Sequence, residues 1–141
     1  MRKSALVLGF LAAAAALPMA QAAVQNYKGT LSGTTEVPPV QTAATGAAAV
    51  NLDTATKQVS WRVDYSGLSG APTAAHIHCG AAPGANAGVA VPLGAGNLAS
   101  PITGSAAMTD AQIAELTSGK CYVNIHTDKN KGGEVRAQLM Q

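Results

Sequence analysis

Three histidines are the residues of this 141-residue chain whose spacing could support chemistry, and all three lie in two short segments. His76 and His78 are two positions apart and are followed by Cys79, whereas Cys121 and His126 lie in the second segment. In an extended strand, residues two positions apart share a face, so the imidazoles of His76 and His78 point the same way. We therefore predict a metal site formed by His76, His78 and His126.

The ligand type indicates which metal this site takes. Three neutral imidazoles suit copper or zinc, whereas calcium and magnesium prefer oxygen ligands that this chain does not cluster. Copper is the predicted cofactor because it stands above zinc in the stability series of divalent metals, and zinc is the alternative. Asn124, Thr127 and Arg136 are the candidate residues around the ligands. The nearest acid, Asp128, lies in a predicted turn and is a weak candidate for a base, so no catalytic residue is assigned.

The two cysteines have the positions expected of a disulfide. Cys79 is one residue from His78 and Cys121 is five from His126, so on regular strands each cysteine faces away from its histidine. The number of cysteines is even, and exported proteins mature in an oxidising compartment. A bridge between Cys79 and Cys121 would close a loop of about 42 residues and stabilise the fold by about 4 kcal/mol in the chain-entropy treatment.

Other functions stay open at this point. A mononuclear copper redox protein similar to the blue-copper proteins would use Cys121 as a thiolate ligand, with Met108 or Met140 as the axial ligand. A protein similar to Cu/Zn superoxide dismutase would use Arg136 to attract an anion, although the zinc ligands of that family have no counterpart here. A structural or protein-interaction module without a metal, whose histidines are packing residues, is the remaining alternative.

Residues 1–22 indicate export. A basic start precedes the apolar run of residues 6–17, and residues 20–22 have the small-x-small pattern that signal peptidase cleaves. The apolar run is shorter than the roughly 20 residues that span a bilayer, so no membrane span is predicted. We predict that this segment is a signal peptide, that residues 23–141 form one domain, and that the protein is periplasmic or secreted.

The charge of the chain argues against nucleic acid as a partner. Nine Lys and Arg residues face seven Asp and Glu residues, and two of the basic residues lie in the predicted signal peptide. A mature chain near neutrality lacks the clustered basic residues that nucleic acids and anionic membranes require. The predicted partner is therefore a metal ion, and a protein partner or a homodimer stays open.

Short alternating segments separated by Gly, Pro, Asn and Asp predict an all-β fold. This spacing is typical of an antiparallel immunoglobulin-like sandwich or a Greek-key barrel. In the last strand, Val135 and Ala137 would face the core, whereas Glu134 and Arg136 would face water. Eight strands are predicted, at residues 24–31, 47–53, 58–65, 74–79, 89–93, 102–108, 120–126 and 134–140.

The irregular parts of the chain are also marked in the sequence. One short helix is predicted near residues 109–117, because its first residues have the Thr-x-x-Gln form of a capping box and Gly119 can adopt the left-handed conformation that ends a helix. Residues 81–88 are rich in Gly, Ala and Pro and predict a loop beside the histidines. The prolines in residues 36–39 predict a rigid exit from an edge strand.

Four motifs occur in order along the predicted domain: LSGTTEVPPV at 31–40, AHIH at 75–78, YVNIHT at 122–127 and GGEVRAQL at 132–139. Together they resemble the CHRD domain, which was first named in chordin and is also found as small exported bacterial proteins. The resemblance runs from about Tyr27 to Leu139. It implies a β-rich, immunoglobulin-like or barrel-like fold and little about biochemical activity, because a fold alone does not supply one.

The sequence as a whole thus predicts an exported copper-binding protein with a three-histidine site. Periplasmic copper binding, storage or transfer is the expected role. The site residues carry this prediction, since the resemblance implies no ligand.

Overall fold

The protein is described by a computed structural model that covers residues 23–94 and 97–141; the predicted signal peptide over residues 1–22 lies outside the described residues. The helix α1 spans Asp110–Thr117, and a single 3-10 turn spans Gly33–Thr35. The eight strands are β1 Val24–Ser32, β2 Thr45–Asp53, β3 Gln58–Ser66, β4 Pro72–Cys79, β5 Val89–Pro92, β6 Ile102–Ala107, β7 Cys121–Thr127 and β8 Val135–Gln138.

The strands form one antiparallel sheet in the order β5-β4-β7-β8-β1-β2-β3-β6. The sheet curls into a nearly closed, barrel-like shape. Across the gap, the indole Nε1 of Trp61 on β3 donates a hydrogen bond of 3.2 Å to the carbonyl of Leu93, which follows β5. The predicted all-β class is confirmed, and every predicted strand is present with ends that differ by at most two residues. No helix among the described residues is long and apolar enough to cross a membrane.

The core fills the inside of this curved sheet, and β3 shows how the sequence places it there. Val59 and Val63 are fully buried on the inner face, whereas Ser60 and Arg62 are exposed on the outer face. Each buried aliphatic side chain of this kind contributes about 1.5–3 kcal/mol relative to an exposed one. The period-two alternation therefore fixes which face of β3 packs inward.

Strands β7 and β8 depart from this pattern because both of their faces are covered. Glu134 and Arg136 were expected to face water, and this prediction is wrong: their exposed fractions are 0% and 3%. Residues 80–88 lie over the outer face and hydrogen-bond to Arg136 through the carbonyl of Ala85. The predicted edge-strand exit at residues 36–39 lies against the same face, so the region nearest the histidines is enclosed by loops.

The helix α1 has the predicted capping box. The Thr109 side chain accepts a hydrogen bond from the backbone N–H of Gln112, and the Gln112 side chain accepts one from the backbone N–H of Thr109. Gly119 has a φ of 73°, which is the left-handed conformation that favours glycine. Leu116 is the fully buried residue of α1, so the helix packs against the core through this side chain.

Glu134 is a buried carboxylate that joins three segments of the chain. Its Oε1 accepts hydrogen bonds from the Thr42 hydroxyl at 2.7 Å and the Ser69 backbone N–H at 2.9 Å. Its Oε2 accepts from the Ser69 hydroxyl at 2.6 Å and the Thr127 hydroxyl at 2.7 Å. Burial alone would raise the pKa of Glu134, but these hydrogen bonds outweigh it and lower the pKa to about 2. The charged form therefore ties the β1–β2 and β3–β4 loops to β7.

We expect the stability of the protein to fall between about pH 5 and pH 2 because Glu134 becomes protonated. Its pKa in the folded state lies below the ordinary value of 4.5, so its contribution is complete above that value and is lost as the pH falls through the folded pKa. The loss is of the order of 3 kcal/mol in the free energy of unfolding, measured by urea denaturation. Glu134→Gln should flatten this dependence, whereas the surface variant Asp64→Asn should keep it. If the free energy of unfolding depended on pH equally in Glu134→Gln and in wild type, the assignment of this loss to Glu134 would be wrong.

Candidate metal centre

Strands β4 and β7 position the three histidines on the outer face of the sheet. The two strands are antiparallel neighbours, and their register pairs His76 with Asn124 and His78 with Tyr122. His126 lies two residues beyond Asn124, so it shares the same face. The residues that alternate with the histidines along β4 and β7 point into the core, so the three imidazoles lie together on the opposite side of the sheet.

The three imidazoles converge on one point. One ring nitrogen of each histidine lies within 4.8 Å of the others, and His76 Nδ1 is 3.3 Å from His126 Nε2. Two nitrogens bound tetrahedrally to one ion at 2.0–2.1 Å are about 3.3 Å apart. This pair therefore already has the spacing of two ligands of a single ion. The structure thus brings His76, His78 and His126 together, and their binding of a metal ion stays a prediction.

In His78 and His126, hydrogen bonds to backbone carbonyls determine which ring nitrogen keeps its lone pair. His78 Nδ1 is 2.9 Å from the carbonyl oxygen of Ala87, and His126 Nδ1 is 2.9 Å from that of Lys131. A carbonyl oxygen only accepts, so each Nδ1 carries the hydrogen and each Nε2 keeps its lone pair. His78 Nε2 is buried and has no hydrogen-bond partner among the described residues. A free lone pair on a buried ring nitrogen is what a metal ion would require of a histidine.

The surroundings favour the neutral form of the His76 and His78 imidazoles, which is the form that binds metal ions. Burial lowers the pKa of His76, and the nearby rings of His126 and His78 lower it further. Burial also lowers the pKa of His78, although its hydrogen bond to the Ala87 carbonyl opposes the shift. The positive charge of Arg136 adds to the lowering at His78. Both rings are therefore ready to bind without first losing a proton near neutral pH.

Tyr122 lies between His78 and Arg136 in a three-layer stack. The rings of His78 and Tyr122 are parallel within 3°, with centroids 4.8 Å apart. On the other face, the guanidinium carbon of Arg136 is 3.9 Å from the centroid of the Tyr122 ring. The Tyr122 hydroxyl accepts a hydrogen bond of 3.1 Å from the backbone N–H of Ala87. The loop that accepts from His78 is thus also fixed to Tyr122.

A buried ion pair holds the far end of this stack. Arg136 Nε donates to Glu36 Oε2 at 3.2 Å, and the two side chains are 4% and 2% exposed. Arg136 also donates to the carbonyl of Ala85 at 3.0 Å and to the side chain of Asn86. Burial raises the pKa of Glu36, while the charge and hydrogen bond of Arg136 oppose this shift. One guanidinium therefore joins residues 33–40 to the loop of residues 80–88.

Asn124 lies between the ion pair and the histidines. Its Nδ2 donates to Glu36 Oε1, and its Oδ1 is buried without a hydrogen-bond partner. Gly133, which has a φ of 124°, leaves the space that the amide occupies: a Cβ there would collide with Asn124 and Glu36. The Gly-Gly motif before β8 thus permits this contact.

The structure places the three residues predicted around the ligands on two faces of the sheet. Asn124 and Arg136 lie in the same polar layer as the histidines. Thr127 lies on the other face of β7, where its hydroxyl donates to Glu134, so it does not contact the three imidazoles. Thr127 follows His126 in sequence, and adjacent strand residues face opposite sides.

Two residues of this polar layer, Tyr122 and Glu36, are absent from the predicted site. Tyr122 could have been found from strand parity, since it lies two residues before Asn124 and on the face of His126. Glu36 has no local signal, because a loop brings it to β8 from about 100 residues away along the chain.

The cysteines form the predicted disulfide on the core side of the sheet. Cys79 and Cys121 are a directly opposed pair of β4 and β7, and their Sγ atoms are 2.02 Å apart. With both sulfurs in this bond, neither is a thiolate, so the blue-copper-like alternative lacks its sulfur ligand in this structure. Met108 is buried in the core, and Met140 pairs with Lys28 of β1, so neither supplies an axial ligand.

We expect Arg136→Met to reduce the free energy of unfolding by about 3–5 kcal/mol, because it leaves the Glu36 carboxylate buried without a cation. The double variant Glu36→Gln/Arg136→Met should cost less, since no buried charge is left uncompensated. Arg62→Met is the matched control: its pair with Asp64 is exposed and should contribute at most about 1 kcal/mol. Urea denaturation measures all three. A double variant as unstable as the single one would contradict this account of the pair.

Comparison with known proteins gave one family match. The sequence model of the family described as CHRD domain matches residues 27–139, a stretch that contains the three histidines and both cysteines. Comparison with curated proteins and with solved structures gave no significant match. The match confirms the resemblance carried by the four sequence motifs, and it identifies no ligand.

Proposed function

We propose that this chain, which belongs to the CHRD domain family, binds one copper ion through His76, His78 and His126 and is an exported copper-binding protein. The observation that carries the proposal is the buried, unpartnered Nε2 of His78 within a cluster of three ring nitrogens. An unsatisfied buried nitrogen is costly, and an ion at this point would satisfy it.

Copper is the ion that we propose, with zinc as the alternative. The three ligands are neutral nitrogens, which both ions accept, and copper binds such ligands more tightly in the divalent series. Three protein ligands leave one coordination position open for water or for a group from another molecule. The cluster is half-buried, so an ion bound there would be reachable from the surface.

Binding, storage or transfer of copper fits these residues better than catalysis. Glu36 is the buried acid in the polar layer of the histidines, and its carboxylate is hydrogen-bonded to Arg136 and Asn124. The Glu134 carboxylate is committed to hydroxyl groups and a backbone N–H. Neither is placed to move a proton at a metal-bound water. We propose export to the periplasm or beyond from the signal-like residues 1–22.

Metal titration of the untagged protein that starts at Ala23 tests this function. We expect one copper ion per chain with a dissociation constant below about 1 μM, followed calorimetrically and by the nitrogen couplings in the Cu(II) spin-resonance spectrum. His78→Ala should weaken binding at least about tenfold, equivalent to about 1.4 kcal/mol, and the triple His→Ala variant should abolish it. Asp128→Asn is the control, since it changes an exposed acid two residues from His126. If copper and zinc both bound more weakly than micromolar, the proposal would be wrong and the alternative of a structural or protein-interaction module without a metal would remain.

Copper affinity should also fall as the pH is lowered, because an imidazolium has no lone pair for the ion. Burial lowers the pKa of His76 and of His78, so these rings resist protonation until below the ordinary histidine value of 6.5. We expect the dissociation constant to rise below about pH 6, measured by competition with a chelator of known affinity. An affinity unchanged down to about pH 4 would argue against histidine ligands.

A further inference from the structure

The imidazole of His78 is held by a hydrogen bond and by a ring stack. Its Nδ1 is held by the Ala87 carbonyl at 2.9 Å, and its ring is stacked on Tyr122 with an angle of 3° between the planes. These contacts fix both the tautomer and the rotation of the imidazole. The remaining polar atom, Nε2, is buried and unpartnered. By contrast, the hydrogen bond that the structure gives His76 is to another histidine, His126.

Tyr122 is itself immobilised from its other side. The Arg136 guanidinium lies over its ring at 3.9 Å and is fixed by Glu36 and the Ala85 carbonyl. The Tyr122 hydroxyl holds the backbone N–H of Ala87, the same residue whose carbonyl accepts from His78. The orientation of the His78 imidazole thus depends on Tyr122, through both the ring stack and the loop that contains Ala87.

We propose that Tyr122 is the positioning residue of the metal site: its ring, clamped by Arg136, holds the His78 imidazole in the orientation that presents Nε2 to the ion. This inference rests on the proposed copper function. A ligand that is already immobile loses little rotational freedom when the ion binds, so the stack raises affinity by preorganisation. Residues that orient metal ligands in this way typically change affinity by 10–100-fold.

Copper titration of three variants tests the proposal in the folded, oxidised chain. Tyr122→Leu keeps an apolar side chain but removes the flat ring, and we expect its dissociation constant for Cu(II) to rise by about 10–100-fold. Tyr122→Phe retains the ring and should recover most of that loss, staying within about threefold of wild type. Tyr65→Leu is the matched control, because Tyr65 is a half-buried tyrosine whose hydroxyl bonds to Leu98 on a different part of the barrel.

Nuclear magnetic resonance of the metal-free protein gives a second measurement that needs no copper. In wild type, His78 should show a single Nδ1–H tautomer and ring protons shifted upfield by the stacked Tyr122. Tyr122→Phe should preserve both signatures, and Tyr122→Leu should lose the ring shift and mix the tautomers. If the wild-type protein did not bind copper, the proposed function would be refuted. These spectra would still test whether Tyr122 orients the His78 imidazole.

Four results would overturn the proposal. They are copper binding by Tyr122→Leu as tight as by wild type, a loss of about tenfold or more in Tyr65→Leu, a loss of about tenfold or more in Tyr122→Phe, and a wild-type His78 without the ring shift. The last two measurements do not require Tyr122→Leu to fold, so the proposal stays testable if that variant is unstable.

Discussion

The buried ion pair between Glu36 and Arg136 is the interaction on which the histidine face depends. Removing two charges from water is costly, and the pair is stable only where further hydrogen bonds complete it. Asn124, Ala85 and Asn86 supply these bonds, which is why two loops must close over the outer face of β7 and β8. The loop of residues 80–88 that this pair holds also contacts His78, and burial lowers the pKa of that imidazole. The ion pair is therefore connected to His78 through this loop.

Strand register separates two kinds of chemistry on the two sides of β4 and β7. Alternate residues face opposite sides, so the imidazoles lie on the outer side and the disulfide lies on the core side. A shift of one residue would exchange these faces and would bring His76 and His78 into the core. Because Cys79 and Cys121 are directly opposed, their covalent bond permits only the register that keeps the three histidines together.

The sequence was sufficient for the parts of this structure that follow local rules. Alternation located the strands, the Thr109 capping box located α1, and strand parity placed histidines and cysteines on opposite faces. It was insufficient where a distant segment covers a strand. Arg136 has the polar, alternating context of a solvated position, yet it is buried because Glu36 reaches it from the other end of the chain. Periodicity reports which residues share a face and not what lies over that face.

The disulfide also bears on the order in which the protein matures. Cys79 follows His78 directly, and before the strands pair two free thiols would offer a soft metal ion ligands that compete with the imidazoles. Their oxidation removes that competition and at the same time joins two strands that are 42 residues apart in sequence. An ion that arrived after oxidation would meet nitrogen ligands alone, whereas one that arrived earlier would meet a mixed set. The redox history of the chain would therefore be part of what defines the proposed metal site.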